Sequence, residues 1–233
     1  MTNNIVELKH VGLSYSTRRS FFRMHQHNAL EDISFNIHQG ETLGIVGGNG
    51  CGKSTLLRVL AGIFQPNSGE IIRHVEKISL LALSLGFDKE LSGRENAILS
   101  GMLLGQSKQQ VMERLDDIIE FSELGKFVEQ PIKTYSSGMK ARLGFSVAVN
   151  METDLLLIDE VLGVGDRHFR AKAEDVMKEK ISSNQSVVLV SHSLGIMKRM
   201  TDRVLWIDKG RIRMLGQPEE VMTEYNQFMD AKK

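Results

Sequence analysis

The stretch GGNGCGKST, residues 47–55, has the spacing G-x-x-x-x-G-K-[ST]. It follows the apolar run TLGIVG (42–47) and opens the helical pattern KSTLLRVLAGI (53–63). That is the strand–loop–helix setting in which a glycine-rich loop cradles phosphate with its backbone N–H groups. Gly47, Gly50 and Gly52 allow the backbone to approach phosphate oxygens closely, and Gly48, Asn49 and Cys51 complete the binding loop. Lys53 supplies positive charge at the β- and γ-phosphates, Ser54 a hydroxyl for Mg²⁺, and Thr55 a further phosphate contact. Cys51 has no histidine paired with it in the motif, so it reads as a small residue and not as a reactive thiol.

Two later strand ends belong to the same chemistry. DLLLIDE (154–160) is an apolar run that delivers two carboxylates at its C-terminal end, costly unless a cation or a reaction uses them. Asp159 is expected to hold Mg²⁺, and Glu160 to polarise the attacking water. LVSHS (189–193) ends another apolar run, placing His192 at the same sheet edge as a γ-phosphate contact.

The 233 residues suffice for one substantial core. Lys+Arg and Asp+Glu both number 29, and this zero net charge argues against a nucleic-acid binder held by bulk phosphate attraction. One cysteine fits a reducing compartment. The start MTNNIVELKH shows no signal-peptide pattern, and the longest apolar run, ISLLALSLGF (78–87), is half of the roughly 20 residues of a membrane span. A soluble, cytoplasmic chain is expected.

Strand-like runs (IVELKHVGLSY, ISFNIH, TLGIVG, LLLID, SVVLVSH, RVLWID) alternate with helical patterns, which predicts an α/β fold around a mostly parallel sheet. From Ser92 to about Asn150 the patterns are helical. Ser92-Gly-Arg-Glu95 has capping-box spacing, and one helix starting near Ser107 would bury Val111, Leu115, Ile118 and Ile119. The tail from Pro218 reads as a terminal helix with Glu219 and Glu220 in its first turn. The expected division is a core of residues 1–91 and 151–215, a helical subdomain of 92–150 and a C-terminal helix of 216–233.

Small polar residues also open the helix pattern YSSGMKARLGFSVAV (135–149), a second place suited to an anion. With this element the chain resembles, over essentially its whole length, the nucleotide-binding subunit of an ATP-binding cassette (ABC) transporter. The order matches: an aromatic after the first strand (Tyr15), the phosphate loop, a helical subdomain ending in a signature, the Asp159–Glu160 strand, a D-loop and a switch histidine. YSSGM (135–139) stands where the family has LSGGQ, and Arg142 follows at the usual spacing. The resemblance implies a RecA-like P-loop core with an antiparallel β subdomain and an inserted α-helical subdomain. It also implies two copies paired head to tail, the signature of one capping the ATP held by the other. Ser136 would then donate its hydroxyl and Gly138 its N–H to the neighbour's γ-phosphate. Ser137, Met139, Tyr15 and the D-loop Asp166 complete the nucleotide contacts.

The spelling YSSGMKARLGFSVA, IDEVLGVGDRHFRAK and LSGREN looks like that of ATPases exporting polysaccharides of O-antigen, capsule or teichoic-acid type. The resemblance then implies a permease partner, a lipid-linked glycan handled through it, and a place at the cytoplasmic face of the inner membrane. The chain stops soon after its last core strands, as in exporters without a C-terminal glycan-binding domain. Three spellings depart from the family. Ser137 and Met139 replace Gly and Gln, GVGD (163–166) replaces SALD, and no glutamine occurs from Gly69 to Gly105, where Ala82–Ser84 fills the Q-loop's place. The alternative, a soluble ABC-type ATPase acting on nucleic acid or ribosomes, would bring coiled-coil insertions or a second cassette. Finally, STRRSFFRMHQHNAL (16–30) interrupts the first two strands, either as a solvated loop or as a basic–aromatic surface against headgroups or a membrane partner. His25 and His27 in it lack a third ligand for a metal.

Overall fold

The computed structural model describes residues 3–20, 23–81, 86–159, 165–191 and 193–231. Apolar runs without polar alternation become central strands because only a sheet covered on both faces can bury them. Thr42–Val46 (β3), Leu155–Asp159 (β6) and Ser186–Val190 (β7) are such runs. With Ile78–Leu81 (β5), Arg203–Asp208 (β8) and Arg211–Gly216 (β9) they form a six-stranded sheet in the order β5-β6-β7-β3-β8-β9, parallel except for β9. Alternate residues face opposite layers. Leu155 and Leu157 pack toward helix Lys53–Leu60 (α1), while Leu156 and Ile158 pack toward Phe145, Phe169 and Ala173.

Over the α1 side lies a three-stranded antiparallel sheet of Asn4–Ser20 (β1), Arg23–His38 (β2) and Ser68–Arg73 (β4), in the order β2-β1-β4. The expected interruption at 16–30 is corrected here. β1 and β2 pair as one long hairpin, from Asn4↔His38 through Tyr15↔His27 to Ser20↔Arg23. No glycine or proline lies between Gly12 and Gly40 to end the pairing, which continues to Ser20 through several register shifts.

The helical segment comprises Gly93–Leu103 (α2), Lys108–Glu113 (α3), Leu115–Ser122 (α4) and Ser137–Asn150 (α5). The capping box at α2 forms: the Ser92 hydroxyl accepts from the Glu95 N–H, and the Glu95 carboxylate accepts from the Ser92 N–H. The single helix expected from Ser107 is instead two, broken at Arg114, yet Val111, Leu115 and Ile118 remain buried on a common core. Arg167–Ser182 (α6) and Leu194–Met200 (α7) cover the other face of the large sheet. Pro218–Asp230 (α8) starts at its proline and packs Tyr225 and Phe228 on Trp206.

One polar node joins the helical segment to α6. Glu123, in a left-handed conformation after α4, pairs with Lys172 at 2.9 Å, His168 at 3.6 Å and Arg142 at 4.0 Å. The Lys172 hydrogen bond holds the Glu123 carboxyl below the usual carboxylate range. A depressed folded-state pKa stabilises the fold above the unfolded value, roughly pH 4.3, and that contribution vanishes as pH falls through the folded one. Glu123→Gln should therefore lower Tm at pH 7 by about 2–4 °C, for roughly 1 kcal/mol in a partly solvated network. The gap from wild type should close in thermal melts on acidification below about pH 4.

Candidate active site

Strand order decides where the site sits. β3 lies between β7 and β8, and Ile45 and Asp159 both pair with Val190, so the loops after β3, β6 and β7 leave the sheet at one edge. The loop after β3 is the glycine-rich one. Gly52 caps α1 with φ 112° and no side-chain hydrogen bond, leaving the first N–H groups of the helix without a capping side chain. A β-carbon on Gly52 would lie 2.5 Å from the Ala29 carbonyl oxygen, whereas one on Gly48 or Gly50 would meet nothing within 4 Å. The loop is packed on one side and open on the other. Its packed side is braced by the β8–β9 turn, where the Gly210 N–H donates to the Cys51 carbonyl at 2.9 Å.

Lys53 is 9% exposed, and its ammonium donates to the Gly47 and Gly48 carbonyls at 2.8 and 2.9 Å. These bonds hold a buried cation at the loop's mouth, where phosphate oxygens would take them over. Ser54 is exposed in the first turn of α1, and Thr55 accepts or donates a 3.2 Å hydrogen bond with the Tyr15 hydroxyl. Tyr15 is fixed further by Phe64, edge to face at 5.9 Å. The Cys51 side chain belongs to the hydrophobic core, and burial pushes its thiol pKa up, so it is not a thiolate nucleophile. Tyr15, His27, Ala29, Gly50, Gly52, Lys53, Ser54 and Thr55 enclose a cleft of about 210 Å³.

Asp159 stands half-buried at the end of β6. Glu160 and His192 lie outside the described residues, as do Ala82–Ser84. Asp166 caps α6, accepting from the Phe169 N–H at 3.0 Å, a bond that lowers its carboxyl pKa, and its other oxygen is 4.0 Å from Arg142. The signature is a separate structure. The Ser136 hydroxyl caps α5 by accepting from the Met139 N–H at 3.1 Å, and Ser137 is exposed while Gly138 and Met139 are half-buried. Buried Tyr135 anchors this turn, its hydroxyl donating to the Phe127 carbonyl at 2.6 Å. Among the described residues, none from 135 to 139 lines the cleft at the glycine-rich loop.

The ABC transporter family profile matches residues 30–163. The chain belongs to the ABC transporter family. It is 43% identical over 219 residues to the O-antigen export system ATP-binding protein RfbB of Klebsiella pneumoniae, covering 93% of this chain and 89% of that one. It is 45% identical over 199 residues to RfbB of Myxococcus xanthus, covering 85% of this chain, and 44% over 201 residues to the teichoic acids export ATP-binding protein TagH of Lactococcus lactis, covering 86%. It spans 46% and 43% of the length of those last two relatives. In fold it matches a dimeric ATP-binding cassette solved after hydrolysis with ADP and phosphate, at TM-score 0.75, 21% identity and coverage of 91% of this chain and 98% of that one. An ATP-binding subunit of an ABC transporter matches at TM-score 0.79 and 22% identity, covering 95% and 93%. The chain is thus an ABC ATPase cassette, and the RfbB and TagH relatives are ATP-binding proteins of export systems. Among the described residues no helix is long and apolar enough to cross a membrane.

Proposed function

We propose that this cassette hydrolyses ATP between two copies of itself to drive export of a lipid-linked polysaccharide through a separate permease, at the cytoplasmic face of the inner membrane. The observation that carries the cargo class is the 43% identity maintained over 93% of the chain to an O-antigen export subunit. These export relatives do not favour the reading of a nucleic-acid or ribosome-acting cassette. In the cleft, Lys53 and the backbone of residues 47–52 hold the phosphates and Tyr15 walls the nucleoside end. Ser54 and Asp159 are oxygen donors of the kind Mg²⁺ takes, and the ion would neutralise charge on the β- and γ-phosphates. Glu160 orients the attacking water, His192 contacts the γ-phosphate, and Asp166 links the start of α6 to Arg142 of the signature helix. Residues 136–139 of the second copy complete the site.

A groove of about 530 Å³ between α1, β5 and the end of α2 supports the permease reading. Its apolar lining is Ile63, Ile78, Leu80, Leu103 and Leu104, with Glu76 and Lys77 also on the wall, and Ile63 and Leu103 are 59% and 53% exposed. Apolar surface of this kind suits a segment of a membrane subunit. The cargo reading is tested by deleting the gene. Surface glycan should disappear while lipid-linked glycan accumulates inside, and Lys53→Ala should not restore it. Unchanged surface glycan would refute export. On the purified chain, Lys53→Ala should weaken ATP binding about 10- to 100-fold by calorimetry, since it removes charge-assisted hydrogen bonds of roughly 1.5–3 kcal/mol.

A further inference from the structure

Two residues of the cleft, His27 and Ala29, belong neither to the glycine-rich loop and its helix nor to the aromatic position, and of these His27 has the polar side chain. It lies directly opposite Tyr15 in the β1–β2 hairpin. Directly opposed residues of an antiparallel pair project from the same face, with β-carbons about 4.5–5.5 Å apart. Tyr15 is aimed at the cleft by its bond to Thr55, so the imidazole stands beside the phenol on the cleft side. The ring is exposed, and no described side chain pairs with it. Two residues further along β2, the Ala29 carbonyl touches the start of α1 at Gly52. A strand advances about 3.3 Å per residue, which sets His27 roughly 7 Å beyond the point where phosphate would meet the helix. With Tyr15 in the aromatic position, this offset fits the nucleoside end of a nucleotide whose phosphates meet the glycine-rich loop.

We propose that His27 is a nucleoside-positioning residue: its imidazole hydrogen-bonds the sugar–base end of ATP beside Tyr15. The hairpin therefore supplies two side chains to nucleotide recognition, held together by strand register. This rests on the cleft being the nucleotide site, and the test separates the two claims. The probes are ATP, ADP and inorganic tripolyphosphate, titrated calorimetrically without turnover. His27→Ala should weaken ATP and ADP about 3- to 20-fold, the range for loss of one or two neutral hydrogen bonds, and leave tripolyphosphate affinity unchanged. His27→Gln, which keeps a donor, should recover most of the loss. In steady state KM should rise with kcat nearly constant, the mark of uniform binding lost. Equal ATP affinity in wild type and both variants, or a parallel fall in tripolyphosphate affinity, would overturn the proposal. A wild-type chain that binds no tripolyphosphate would refute the cleft reading itself, and this proposal with it. Should His27→Ala lower Tm, His27→Leu, which keeps bulk on the strand but no hydrogen-bonding group, takes its place in the same comparison.

Discussion

Glu160→Gln should lower ATP turnover by about 10²–10⁴ while ATP binding stays within a few-fold of wild type. The amide has nearly the same shape as the carboxylate but cannot accept the water's proton, and loss of a general base typically costs that factor. β6 places Asp159 at the sheet edge, in register with Val190 of β7, and Glu160 is the next residue. With hydrolysis stopped, ATP should hold two chains together, and size-exclusion chromatography should show a dimer that wild type forms only transiently. Near wild-type turnover in the variant would remove Glu160 from this role.

Local features of the site were legible in the sequence because they depend on neighbours a few residues apart. The glycine-rich loop, the capping box at Ser92, the start of α8 at Pro218 and the apolar strand ending at Asp159 are all of this kind. The break at Arg114 was not, since Val111, Leu115 and Ile118 keep a helical spacing that is buried equally well by one helix or by two. His27 was hidden for a different reason. Its meaning depends on register with Tyr15, twelve positions away, and the basic residues between them suggested a loop. The absence of glycine and proline from 13 to 39 was the available signal for a continuous hairpin. Glu123 and Tyr135 act through partners in other elements, Lys172 in α6 and the Phe127 carbonyl, which no pattern along the chain can announce. Thus local structure was readable where one motif carries it, and unreadable where packing brings distant parts together.

Ser136→Arg should abolish hydrolysis, to below about one per cent of wild type, while a single chain still binds ATP normally. The glycine-rich cleft contains none of residues 135–139 among its described walls, so a side chain added at Ser136 leaves the chain's own cleft alone. In the head-to-tail pairing proposed above, however, each site would take its phosphate loop from one copy and its signature from the other. Arginine there would fill the space for the partner's γ-phosphate. It also removes the α5 cap, which costs roughly 0.5–2 kcal/mol, so Ser136→Asp is the companion variant. Aspartate caps helices well yet sets a negative charge against phosphate, and it should block closure with the fold intact. Mixing the Ser136→Arg chain with a Lys53→Ala chain places both lesions in one site of the mixed dimer and neither in the other. Activity should then partly recover. Crosslinking decides whether the two elements meet across chains. Gly50 has φ 72°, a conformation that penalises any side chain, so the exposed neighbour Asn49 is the position for cysteine, paired with cysteine at Ser136 and with Cys51 replaced by serine. A disulfide that joins different chains only when ATP is bound supports the composite site. One formed within a single chain, or formed equally without ATP, would mean that the signature caps its own nucleotide or none.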